Sequence, residues 1–270
     1  MSGRIMPEFH VTTSRRAALG FLGASAVIAG ASPARAGDTI RSGSSSGEAL
    51  RALKASLAAA PRRRSFKTVP FMVTRPDEWD HEAAQLVLSY GPRTIQMWES
   101  TDLGAPWLNL MREALNGQVF AHKNPDFLPV AAVHGSAHLT LFDQAAWDMY
   151  ALSSLSGGKA TANKFVSAKP GTTPSDDLQD LGGYYGPQNN NIQTLQERGA
   201  AFIACHDSIH AIARTLQTKR PTGPSADMIA ADLTNHLVEG SILVPSVVAF
   251  LAELQRAASP TPKPTEGGRT

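Results

Sequence analysis

Cys205 is the only cysteine in the 270-residue chain, and two histidine pairs lie at four-residue spacing, His134-x-x-x-His138 and His206-x-x-x-His210. Each cluster follows an apolar run: Leu128–Val133 leads into His134, and Ala200–Ala204 leads into Cys205 and His206. Asp207 and Ser208 are helix-starting residues, and Ile209, Ile212 and Leu216 then recur at helical spacing. Cys205 is therefore expected where a strand gives way to a helix. Backbone N–H groups and the helix dipole at such a place favour a thiolate, which is the nucleophilic and sulfur-accepting form of cysteine. A neighbouring imidazole, His206 or His134, would serve the same end. The alternative is a buried cysteine acting as a small hydrophobe.

The histidine spacing admits a second chemistry. Residues i and i+4 share a helix face, so each pair could hold a borderline metal. If the two strands are neighbours, His134, His138, Cys205, His206 and His210 converge on one edge and would suit copper or zinc. If a loop interrupts the helix, the relation is lost and the outer histidines are surface residues. Other chemistries find no pattern. Ser136 lies in His-Gly-Ser-Ala-His and lacks the second glycine of a nucleophile elbow. There is no dinucleotide or phosphate-loop glycine motif and no Cys-x-x-Cys-His. A net charge of +2, without a basic patch interleaved with aromatics, gives no sign of a nucleic-acid partner.

Strand and helix patterns alternate from Phe66 to Ala257. This predicts an α/β domain over residues 65–257, a three-layer sandwich with a mostly parallel, roughly five-stranded sheet flanked by helices. Strands are expected at Phe66–Val73, Thr94–Glu99, Leu128–Val133, Ala200–Ala204 and Ser241–Val244, the first at an edge or bulge because of Pro70. Residues 156–188, rich in Gly, Ser, Thr, Lys and Pro, read as an insertion of the lid or mobile type, with Tyr184-Tyr185 as its ordered part. Residues 37–64 read as a flexible linker carrying an alanine-rich helical patch without a core role, and 258–270 as a disordered tail.

The N-terminus reads as an export signal over residues 1–36. Arg15-Arg16 precede an apolar stretch from Ala17 to Ala31 that closes on the small-x-small site Ala34-Arg35-Ala36, with cleavage expected after Ala36. This resembles a twin-arginine (Tat) signal, which implies passage through the Tat translocase and a periplasmic location. There a lone cysteine has no disulfide partner in its own chain.

Over roughly Phe66 to Gln255, and most closely from Val130 onward, the sequence resembles the DsrE/DsrF-like sulfur-relay family in its YchN-like branch. The matching residues are Val130-Ala-Ala-Val-His-Gly135, Leu195-Gln-Glu-Arg-Gly199 before Ala200-Ala-Phe-Ile-Ala-Cys205, and Gly240-Ser-Ile-Leu-Val-Pro-Ser246 with Leu254-Gln255. The resemblance implies a parallel α/β sandwich, assembly into homo-oligomeric trimers or hexamers, and a sulfur donor or acceptor protein as partner. It also implies that Cys205 accepts and passes on sulfane sulfur as a persulfide, with His134 and His206 beside it and no cofactor. The residues after the cysteine are His206-Asp207-Ser208, where relatives often have Gly-Asn-Thr.

Overall fold

A computed structural model describes residues 46–91, 95–158 and 160–258. The export signal with Arg15, Arg16 and Ala36, residues 37–45 and the tail beyond 258 lie outside the described residues.

The protein is an α/β structure built on a four-stranded, all-parallel sheet flanked by helices. The strands are β1 (Ile95–Ser100), β2 (Leu128–Val133), β3 (Ala201–Cys205) and β4 (Ile242–Val244), lying side by side in sequence order. Every residue of β2, β3 and β4 is buried, as fits strands covered on both faces. Each crossover moves one strand in the same direction, so right-handed connections put the intervening helices on one face. Helices α3 (Trp107–Asn116), α4 (Gln144–Tyr150), α5 (Ile192–Glu197), α6 (His206–Lys219) and α7 (Ala226–Asn235) accordingly share a core with Val133, Phe202, Ala204 and Leu243. The opposite face packs Val130, Ala132, Ala201, Ile203, Cys205 and Val244 against α1 (Glu48–Ala59), α2 (His81–Leu88) and α8 (Val247–Ala258).

Two expectations are corrected. The stretch 37–64 is not a linker throughout. Helix α1 buries Leu50 and Leu53, which belong to the core with Val87 and Leu254. Gly199, at φ +104°, turns the chain into β3 directly beneath Leu50, where a side chain would collide with it.

The expected strand Phe66–Val73 does not form, so the described sheet has four strands and not five. The alternation there is only apparent: Val69 and Val73 are buried, but Phe71 between them is exposed. Residues 62–80 form a strap instead. Phe66 exchanges two hydrogen bonds with the Asn235 amide, and Val69 donates to the Asp227 carbonyl. The strap returns at Asp80, whose backbone N–H donates to Leu243 O at 3.0 Å while Leu243 N–H donates to Asp80 Oδ2 at 2.8 Å. Asp80 thus occupies the free edge of β4, where another strand would otherwise pair. Its carboxylate is fully buried and also accepts from Arg63 N–H and from the Arg64 guanidinium, with Arg62 at 4.0 Å.

The segment 156–188 is tied at several points by hydrogen bonds, among them Asn163 to Thr140 O, Lys169 N–H to Asn189 Oδ1 and Tyr184 N–H to Asp176 Oδ2. Tyr184 and Tyr185 are buried, and Tyr185 O accepts from Arg112 and Asn116 of α3. Those partners lie toward the C-terminus of α3, which leads back to the amino ends of the strands. The tyrosine pair is therefore anchored at the sheet end opposite Cys205.

Candidate functional site

The strands end at Ser100, Val133, Cys205 and Val244, and the chemistry-bearing residues gather there. The β2–β3 ladder closes at Val133 and Ala204, so His134 and Cys205 stand side by side at the next step, adjacent parallel strands being about 4.8 Å apart. Side chains alternate across a sheet. Val130 and Ala132 on β2 face the same layer as Ala201, Ile203 and Cys205 on β3, and His134 continues their parity. So does Glu99 on β1, after Ile95 and Met97. Its carboxylate Oε1 lies 3.0 Å from His134 Nε2. Glu99, His134 and Cys205 thus form a row across the carboxyl ends of β1, β2 and β3. The row runs inward, from half-exposed Glu99 through His134, with 22% of its side chain exposed, to Cys205 at 4%.

Cys205 is the N-cap of α6 and closes β3, which is the strand-to-helix junction expected from the sequence. Its side chain belongs to the apolar cluster of Val244, Val247 and Phe250. Beyond the end of the β2 ladder, its backbone N–H is taken by His138 Nε2 at 3.1 Å. That bond fixes His138 as the neutral tautomer with its proton on Nδ1, and Nδ1 has no partner beyond its own main chain. Burial, together with the nearby His134 and His206, pushes the His138 ring down to about 3. His138 is therefore a neutral acceptor that positions the Cys205 backbone and not a base for the thiol. Its ring packs on Phe142 at 5.0 Å.

His206 is also buried. Its Nε2 donates to Pro70 O at 2.8 Å, which pins the strap across the end of β3. Burial lowers its pKa, and the Pro70 carbonyl opposes the shift without cancelling it. His210 lies one turn along α6, with ring centroids 5.8 Å apart, so the i, i+4 relation holds in this pair. His210 Nδ1 accepts from Arg214, and its Nε2 is 3.1 Å from Asp227 Oδ1 without the alignment of a hydrogen bond.

The relation fails in the other pair. His134 precedes a 3₁₀ turn, Gly135–Leu141, and the chain leaves β2 at Gly135 with φ +58° against Thr101 O. The expected convergence of His134, His138, Cys205, His206 and His210 does not form. Among the described residues no three His, Cys, Asp or Glu side chains group so as to hold a metal ion. The ring nitrogens of His138 and His206 that lie nearest the strand ends are committed to Cys205 N–H and Pro70 O.

Ser136 is a local tie, its Oγ accepting from Leu103 N–H at 3.1 Å. It borders a cavity of about 260 Å³ between the 3₁₀ turn and α6, with Leu139, Leu155, Ser208, Ala211 and Ile212. The lining belongs to the α6 side of the sheet, whereas Cys205 faces the other side.

Residue types and spacing single out Cys205, His134 and His206 but not Glu99. A glutamate in a strand reads as a solvent-facing residue. Only the β1–β2 pairing makes it a partner for His134. Comparisons with protein families, with curated proteins and with solved structures find no match for this chain.

Proposed function

We propose that this is an exported, periplasmic, homo-oligomeric protein of the DsrE-like type that binds or relays sulfane sulfur at Cys205. The observation that carries this reading is the row Glu99–His134–Cys205: a carboxylate orienting an imidazole, one strand from a thiol at a helix N-terminus. Cys205 opens α6, and His134, one strand away, is placed to take the thiol proton. The thiolate attacks the outer sulfur of a donor persulfide or polysulfide, the donor's S–S bond breaks, and the donor leaves as a thiolate. Cys205 then carries a persulfide, with no net oxidation, until an acceptor thiol reverses the step.

The burial of Cys205 sets a condition on this chemistry. Loading requires a local opening from the His134 side or a movement of the strap that His206 holds through Pro70. The same burial favours a second reading, a binding module of this fold in which Cys205 only packs.

Mass spectrometry of the folded protein after polysulfide treatment distinguishes the two. Sulfur transfer predicts a gain of about 32 Da per sulfur atom on Cys205, reversed by a thiol and absent in Cys205→Ser. A thiol that stays unmodified, while an exposed cysteine engineered elsewhere reacts, overturns the sulfur reading and leaves the packing one.

A further inference from the structure

Arg198 ends α5 and is 3% exposed. Its Nη2 donates to Asn116 Oδ1 at 2.7 Å, and its guanidinium stacks on the Tyr185 ring at 5.1 Å. Nε and Nη1 are buried and have no hydrogen-bond partner among the described residues. No ion pair joins it to a carboxylate within the described residues. Glu197, adjacent in the chain, gives its carboxylate to the Tyr184 hydroxyl and Gln193. The nearest other charge is the like charge of Arg112, also buried, whose donors are taken by Asn109, Asn190, Tyr185 O and half-exposed Glu113. A buried cation with unmet donors costs several kcal/mol, so native interiors supply it with a counter-charge. Asn116 and Tyr185, which hold the guanidinium, also line a cavity of about 320 Å³ with Phe120, Ala121, Leu178 and Gln179, so an anion entering there reaches Nε and Nη1 only past those two side chains.

We propose that Arg198, with Arg112 behind it, is the seat of a small oxyanion held beneath the 156–188 segment at the amino end of the sheet. Guanidinium donors match oxyanion geometry, and a dry surround strengthens charge-assisted bonds. The anion completes a site that already pins Tyr185 through Arg112, Asn116 and Arg198, so its binding also stabilises the 156–188 segment. This inference is independent of the chemistry at Cys205, which lies at the opposite end of the strands.

The test is thermal unfolding of the full, desalted protein against phosphate, sulfate or acetate, with sodium chloride holding ionic strength constant. A saturable rise in Tm is expected with at least one oxyanion and none with chloride alone. The arm that responds separates tetrahedral anions from planar carboxylates. In Arg198→Gln the rise should vanish. In Asn116→Asp, which sets a carboxylate against Nη2, the apparent affinity should fall about 10- to 100-fold. Should Arg198→Gln fail to fold, ion chromatography of anion released on denaturing the wild-type protein stands in its place, with about one per chain expected. An unsaturable or absent response to every oxyanion, with no anion released, overturns the proposal and leaves Arg198 solvated by water.

Discussion

Asp80 and Arg198 are both charged and both buried, yet their surroundings differ in kind. Every lone pair of Asp80 is met, by Arg63 N–H, Leu243 N–H and the Arg64 guanidinium, with Arg62 close by. Arg198 keeps one acceptor and one aromatic face, and two of its nitrogens have none. Asp80 is a structural joint that closes the free edge of β4 and ties the strap to the sheet. The shortfall at Arg198 is of the kind that a ligand makes good. A buried charge is thus read by what it lacks, not by its burial. Cys205 falls between the two: its backbone is fully held, while its thiol is packed with a His134–Glu99 pair one strand away.

The largest expected effect on stability is at Asp80. Asp80→Asn leaves the partly buried Arg64 against a neutral amide and faces Leu243 or Arg63 N–H with a donor. We expect a loss of about 3–5 kcal/mol by urea unfolding, the cost of removing one partner of a buried pair. A loss under about 1 kcal/mol would show that the strap is not held by this charge.

Acid tests the buried groups that are neutral. His138 is held near 3 and His206 is also lowered, both by burial, so the folded protein resists protonating them. In the unfolded chain each titrates near 6.5, and below that pH the unfolded state binds more protons. Stability contributed by the neutral rings is therefore complete above about pH 6.5 and declines as pH falls toward the folded values. The decline is at most about 1.4 kcal/mol per pH unit for each histidine. His138→Gln should flatten the decline between about pH 6 and 4, measured by thermal melts; an unchanged slope would count against a buried neutral His138.

Arg198 should give the smallest change in stability. In desalted protein, Arg198→Met removes an under-paired cation as well as its bond to Asn116, and stability should stay within about 1 kcal/mol of wild type. A loss as large as that of Asp80→Asn would mean that Arg198 is already satisfied without an anion.

Much of the architecture is legible in the sequence because apolar runs are unambiguous when both faces are covered. Leu128–Val133 is a strand with those bounds, and Cys205 does close β3 and cap α6. The strap is misread because Phe66, Val69, Phe71 and Val73 mimic alternation, while the hydrogen bonds that hold it come from Asn235, Asp227 and Leu243, far along the chain. Helix α1 is legible as a helix, but its core role is missed because an alanine-rich stretch shows its apolar stripe, Leu50 and Leu53, only when a sheet lies beneath it. Histidine spacing is an incomplete guide for a related reason. The same four-residue interval lies on a helix at His206–His210 and is broken by a 3₁₀ turn at His134–His138. Arg198 carries no signal of its own, since an arginine ending a helix reads as an ordinary dipole partner.

Whether Cys205 handles sulfur in the folded protein is decided by following persulfide formation on Cys205 against increasing urea below the unfolding transition. Loading through a local opening predicts modification in buffer alone, at a rate that barely changes with urea until the transition begins, and that falls in Glu99→Gln while the unfolding midpoint is unchanged. Modification that appears only as the protein unfolds, and tracks the unfolded fraction, would contradict the account and make Cys205 a packing residue.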